Sequence, residues 1–230
     1  NACIQCLLSF DSLVQYVSQK KYQKALNTKT SKFWWALSEI VDFNNSKINP
    51  FTPTILRRIA EKFFHPHEQH DSHEFLRYFL SGLQDEINIQ SNKKEIEFKD
   101  PESAWNYYKK HNVSLIDDLF AGQLISKVRC GNCGHVSTTY DPFLDLSVPV
   151  IPDKTKNFDD CLTAFLKEEE IKDSYTCEKC KSNSRVIKKL SINKFPQILV
   201  VHFKRFQTFP VKKKIKDFIE FPIETMRIKK

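Results

Sequence analysis

The chain is expected to fold as an α+β protein, and three features of its sequence say so. Through the first 112 residues, apolar side chains recur at helical spacing. Beyond residue 112 the segments turn short, partly alternating and rich in β-branched and aromatic residues. Two Cys-x-x-Cys pairs interrupt that second part. At 230 residues the chain fits one large domain or two small ones and can bury a substantial core. Its 19 phenylalanines, against 4 glycines and 1 methionine, put much of that core on aromatic rings.

Taken in order, Ile4, Leu7, Leu8, Phe10, Leu13, Val14 and Val17 predict an amphipathic helix from Ala2 to about Gln19, with a break near Asp11. Residues 31–43 repeat the pattern through Phe33, Trp34, Leu37, Ile40 and Val41. Pro50 and Pro53 punctuate a loop, and Thr52 or Thr54 is the expected cap of a short helix over 54–63. The strongest helix follows Gln69. There Asp71 and Glu74 have capping-box spacing, and Phe75, Phe79, Leu83 and Ile87 form one apolar face. Residues 88–100 are polar and read as a loop, and 102–111 read as a helix. Strands are expected at 119–128, 136–146 and 185–192, a helix at 158–170, and a buried strand at 197–206. No internal repeat is visible.

The two pairs, Cys130/Cys133 and Cys177/Cys180, are separated by 43 residues, each between strand-like segments. Two such knuckles can wrap one tetrahedral ion, and Gly131 and Gly134 give the first turn its permissive backbone. A redox Cys-x-x-Cys belongs at a helix N-terminus after a strand, which neither pair shows. Four buried free thiols would sit badly in such polar surroundings. The expectation is one structural zinc ion with four cysteine ligands and no open coordination position, and no organic cofactor.

Several functions are disfavoured. No run approaches the roughly 20 apolar residues of a membrane span, and no signal-peptide pattern opens the chain. The net charge of +8 gathers in lysine runs at 179–189 and 204–216, which read as a solvated face, so no nucleic-acid partner is expected. Seven cysteines, four of them in knuckles, argue for a reducing compartment, cytoplasmic or nuclear. His65, His67, His70 and His73 do not have metalloprotease spacing, because His70 and His73 are three apart and Asp71 follows His70. Cys3, Cys6 and Cys161 lie on helical segments without a visible base, so composition and spacing reveal no complete nucleophile–base pair.

The stretches 69-QHDSHEFL-76, 115-LIDDLFAGQLISKVRCGNCGHVS-137, 141-DPFLDLSVPV-150, 177-CEKCK-181 and 195-FPQILVVHFKRF-206 resemble, in order, the ubiquitin-specific protease catalytic domain. That family belongs to the papain-like cysteine protease group. The resemblance spans nearly the whole chain. It implies a fingers–palm–thumb architecture, with 1–112 as a mainly helical thumb and 113–230 as antiparallel fingers carrying the zinc, plus part of the palm. It also implies a chain partial at both ends. Asn1 to Leu7 resembles the continuation of the family's cysteine box, which puts the nucleophile three residues before Asn1, and the base histidine would follow the segment 218–230. No catalytic residue is therefore assigned within 1–230.

The implied activity of the intact domain is thiol-dependent cleavage of the isopeptide bond after ubiquitin's C-terminal glycine. Ubiquitin and ubiquitinated proteins are the implied partners. The segment matching Gln69 to Phe75 lines the family's channel for the ubiquitin tail, so Gln69 and Asp71 are the expected tail-binding residues. Asp71 also remains a helix cap, because a carboxylate has several acceptor positions. The alternative is a relative that lost its catalytic pair and binds ubiquitin without cutting it. A cysteine three residues upstream of Asn1 would distinguish the two.

Overall fold

The amphipathic run that opens the chain folds as two helices, because Phe10 takes an extended backbone (φ −93°, ψ 102°) between them. In this computed structural model, residues 2–27, 31–46, 52–88, 96–207 and 213–224 are described. They divide into two compact units, residues 1–95 with 109–118, and 96–108 with 119–230.

The first unit carries α1 (Ala2–Leu8), α2 (Asp11–Ser18), α3 (Tyr22–Ala25), α4 (Phe33–Ser46), α5 (Thr54–Ala60) and α6 (Ser72–Asp85). Its core is mainly aliphatic, with Tyr22, Trp34 and Phe79 as its buried rings, which corrects the expectation that phenylalanine carries much of it. Trp34 is fully buried, stacks on Tyr22 with ring centroids 5.6 Å apart, and donates its Nε1–H to the Leu83 carbonyl at 2.8 Å. Leu13, Val17, Leu37, Phe79 and Leu83 are buried with it. Each such side chain contributes about 1.5–3 kcal/mol of transfer free energy. The expected threonine cap of α5 is corrected: Pro53 is the N-cap. Glu39 of α4 accepts from the Thr54 hydroxyl at 3.2 Å and from the Ile55 N–H at 3.4 Å.

A buried polar cluster fixes the return of the chain at 112–118. Asn88 Oδ1 accepts from the Val113 and Ser114 N–H groups at 2.9 and 3.0 Å, while its Nδ2 donates to Asp117 at 2.9 Å. Gln84 of α6 donates to the other Asp117 oxygen at 2.7 Å. Such a cluster is stable only when every member is satisfied. The loop expected over 88–100 lies largely outside the described residues.

α7 (Pro101–His111) and α8 (Leu115–Phe120) connect the units. Pro101 opens α7, where its missing N–H costs nothing, and Asp100 accepts from the Ser103 N–H at 2.8 Å. α8 covers the start of what reads as a strand in the sequence, and the strand itself begins at Gly122.

In the second unit, β1 (Gly122–Cys130), β2 (Val136–Phe143), β4 (Glu169–Thr176) and β5 (Asn183–Lys194) form an antiparallel sheet in the order β2-β1-β5-β4. β4 replaces the C-terminal part of the expected 158–170 helix. The helix α9 (Phe158–Leu166) ends early, and the acidic run beyond it pairs with basic β5, Glu168 with Lys189 at 3.4 Å and Glu170 with Arg185 at 3.5 Å.

A second pair, β3 (Asp145–Pro149) and β6 (Val200–Lys204), runs parallel, and β6 is half-buried rather than buried. α9 packs against it in a core of Leu146, Val148, Val150, Phe158, Cys161 and Leu162. Asn157 and Asp160 form a full capping box at the start of α9. β7 (Phe206–Gln207) and β8 (Lys213–Lys214) pair antiparallel, after which Glu220 bonds to the backbone of Lys156 and Phe158. No helix among the described residues is long and apolar enough to cross a membrane.

Candidate metal centre and binding segment

Both Cys-x-x-Cys knuckles are hairpin loops of equal length. Arg129 pairs with Val136 across the β1–β2 hairpin, and Thr176 pairs with Asn183 across the β4–β5 hairpin. β1 and β5 are antiparallel neighbours with Cys130 opposite Val186, so the end of β1 lies beside the start of β5. The topology therefore carries both loops to one end of the sheet, although the sequence separates them widely.

The loops are also built alike. The Cys130 N–H donates to the His135 carbonyl at 2.8 Å, and the Gly134 N–H donates back to the Cys130 carbonyl at 3.1 Å. In the second loop the Cys177 N–H donates to Ser182 at 3.1 Å and the Lys181 N–H to Cys177 at 2.8 Å. The residue after each second cysteine takes a left-handed backbone, Gly134 at φ 69° and Lys181 at φ 55°. Gly131 faces β5 so closely that an added Cβ would lie 2.8 Å from the Arg185 carbonyl oxygen.

The four sulfurs lie within 4.8 Å of one another, with Cys130 and Cys180 at 3.9 Å and Cys133 and Cys177 at 3.7 Å. A disulfide needs about 2.05 Å, so these are four thiols. Tetrahedral ligands with Zn–S bonds of about 2.3 Å stand about 3.8 Å apart, which these two pairs match. The four cysteines, and no other described group of His, Cys, Asp and Glu, are close enough to hold an ion.

Hydroxyls prepare two of the sulfurs. Ser184 Oγ lies 3.1 Å from Cys130 Sγ, and this contact, followed by the Cys133 backbone, lowers the Cys130 thiol to about 6. Ser182 Oγ, 3.0 Å from Cys180 Sγ, lowers that thiol in the same way, and Asn132 donates to Ser182 at 3.0 Å. Donors to sulfur favour the thiolate that a metal requires. Ser182 and Ser184 were not anticipated from sequence; their one signal is the polar alternation Ser182-Asn183-Ser184 directly after the second knuckle.

The other expected site residues lie in the first unit. Asp71 is the N-cap of α6 and accepts from the His73 N–H at 2.7 Å, and it is half-buried. Gln69 is exposed in the loop just before it. His70 is tied down locally: its Nε2 lies 2.9 Å from the His65 carbonyl and its ring meets Phe64 edge-on. The Cys3 thiol donates to the Ser72 carbonyl at 3.3 Å and burial raises its pKa. Cys161 is fully buried, and burial raises its thiol as well.

The profile of the ubiquitin carboxyl-terminal hydrolase family matches residues 1–230. The chain belongs to that family. Among its relatives is the ubiquitin carboxyl-terminal hydrolase Usp2 of Drosophila melanogaster, 32% identical over 96% of this chain and 25% of the relative. The human ubiquitin carboxyl-terminal hydrolase 2 is 33% identical over 100% of this chain and 42% of its own length. The chain thus spans less than half the length of these two members of the family. Among solved structures, the SAGA Ubp8/Sgf11/Sus1/Sgf73 DUB module bound to ubiquitin aldehyde matches with a TM-score of 0.70 and 29% identity, over 96% of this chain and 48% of that one. A variant of that SAGA DUB module bound to monoubiquitin matches with the same TM-score, 0.70, and the same identity, 29%, over 96% of this chain and 49% of that one. The mixed helical and antiparallel fold described above is the fold of this family.

Proposed function

We propose that this chain is part of a thiol-dependent deubiquitinase that binds ubiquitin and cleaves the isopeptide bond after its C-terminal glycine. The observation that carries this is the family match over all of 1–230, accompanied by a 0.70 TM-score to a domain solved with ubiquitin aldehyde. The chemistry is nucleophilic acyl transfer: a thiolate attacks the glycine carbonyl, preorganised donors hold the oxyanion, and water releases the acyl-enzyme. The nucleophile is expected three positions before Asn1 and the base after residue 230, so residues 1–230 contribute binding and positioning.

Within the chain, Gln69 and Asp71 bind the ubiquitin tail. Asp71 spends one acceptor position on the His73 N–H, and the carboxylate's remaining positions serve the tail's cationic and backbone donors. The helical thumb and the sheet with its knuckles are the expected grip on ubiquitin, with Cys130, Cys133, Cys177 and Cys180 holding one zinc ion. When bound, that ion supplies structure and no chemistry, since four thiolates close its coordination sphere. Thiols kept reduced for a metal suit the cytoplasm or nucleus.

The test is to express the full-length protein and treat it with ubiquitin carrying a C-terminal electrophile. A covalent adduct, lost when the cysteine three positions upstream of Asn1 is replaced, is the expected result. Ubiquitin binding without an adduct would instead identify a pseudoprotease.

A further inference from the structure

We propose that a groove between α4 and α5 docks an acidic, amphipathic peptide segment of a partner protein. The groove encloses about 420 Å³, within the range of ligand-binding clefts. Its floor is Trp35, Ile55 and Ile59, and its rim carries Lys32, Arg58 and Lys62. No residue of it belongs to the segment Gln69–Asp71 or to the thiol cluster.

The two consecutive tryptophans of α4 divide their work. Trp34 is buried completely and bonds to Leu83, whereas Trp35 is 48% exposed and lines the groove. An indole displayed in a concave apolar site is the kind of anchor that dominates protein interfaces.

The rim selects the occupant's charge. None of its three cations is in an ion pair among the described residues. Of the nearby carboxylates, Glu39 and Glu86 bond to backbone and hydroxyl donors of the groove's own walls, and exposed Asp42 of α4 is in no ion pair among the described residues. Glu39 accepts from Thr54 and Ile55, Glu61 pairs with Arg57, and Glu86 accepts from Ser31 and from the first N–H groups of α4. Three rim cations without an ion pair, over an apolar floor, fit an apolar side chain flanked by Asp or Glu. The concave floor, two isoleucines beside a single indole, suits a side-chain anchor better than the successive stacking of nucleic-acid bases.

The test uses the full-length protein and fluorescence anisotropy. The probe is a short fluorescein-labelled peptide with a central Leu-Leu pair flanked by glutamates. Its controls replace the glutamates with lysines or the leucines with serines, and a labelled RNA oligonucleotide runs beside them. The acidic peptide should bind and both peptide controls should fail. Arg58→Glu/Lys62→Glu and, separately, Trp35→Ala should each weaken binding at least about tenfold with circular dichroism unchanged. No binding of the acidic peptide, equal binding of acidic and basic peptides, preference for RNA, or indifference to both variants would overturn the proposal.

Discussion

Glu86, just past the end of α6, caps α4 from a distance: its Oε2 accepts the Trp34 backbone N–H at 3.1 Å although 52 positions separate them. The same carboxylate accepts from the Ser31 hydroxyl and the Lys32 N–H, both at 2.5 Å, and from the Phe33 N–H at 3.0 Å. One side chain thus satisfies three backbone donors at a helix start, where the dipole also favours negative charge. Glu86→Ala should destabilise the protein by about 2–4 kcal/mol and Glu86→Gln by less, since hydrogen bonds to charged groups outweigh neutral ones. Urea unfolding at neutral pH measures both. Equal stability of Glu86→Ala and the parent would remove the cap from the account.

Zinc should be present at one ion per chain and absent from a Cys130→Ser/Cys177→Ser variant, as metal analysis of reduced protein will read. Ser184→Ala should keep the ion but weaken its affinity by about tenfold, the size of other outer-shell losses. Competition with a chromophoric chelator gives that number. An affinity unchanged in Ser184→Ala would mean the 3.1 Å contact to Cys130 does nothing for the metal.

Lys181 holds the left-handed backbone that Gly134 holds in the partner loop. Lys181→Gly should therefore be neutral to stabilising, by up to about 1 kcal/mol, while Gly134→Ala should cost a similar amount. The methyl group added at position 134 would meet open space, so strain alone is measured there. Thermal melts of the metal-loaded protein will show whether the two substitutions move in opposite directions.

Cys161 should resist alkylation in the native protein while exposed Cys6 reacts, read by mass spectrometry after brief iodoacetamide treatment. Burial raises the Cys161 pKa above the ordinary 9.0, so the folded state favours the neutral thiol. The stability this group contributes is complete below pH 9.0 and is lost as pH rises from there through its raised folded value. Cys161→Ala should flatten that alkaline decline. An unchanged slope would assign the decline to other groups.

Asp71→Asn separates capping from binding. Asparagine caps as well as aspartate, so α6 should remain intact, whereas the lost charge should weaken ubiquitin-tail binding by about tenfold. Asp71→Ala should cost about 1 kcal/mol of stability in addition. Calorimetric titration with ubiquitin, beside a urea melt, reads both effects.

What the sequence disclosed follows from how local each signal is. The knuckles and α6 are written within a few residues and stand where spacing puts them, although Asp71 caps α6 through the His73 N–H and not in the capping box that its spacing to Glu74 suggests. The acidic run at 168–170 misleads because Glu and Lys favour helix in isolation, and the backbone ladder to β5, with Glu169 opposite Lys188 and Glu170 opposite Ile187, makes it the start of a strand. The Glu86 cap and the parallel pairing of β3 with β6 join residues some fifty positions apart, and no periodicity encodes such a partner. Ser182 and Ser184 read as ordinary polar loop residues until the fold sets them beside sulfur.

Because both knuckles lie at one tip of the four-stranded sheet, an ion there fastens only that end. The opposite end is held by its own bonds, such as Asn193 to Gln123 at 2.7 Å and Lys194 to Glu102 at 3.0 Å. Loss of the ion should make the sheet breathe from the tip inward. Amide exchange would then quicken first around Arg129 and Val186 and last around Gln123, a protection gradient running lengthwise along β1 and β5.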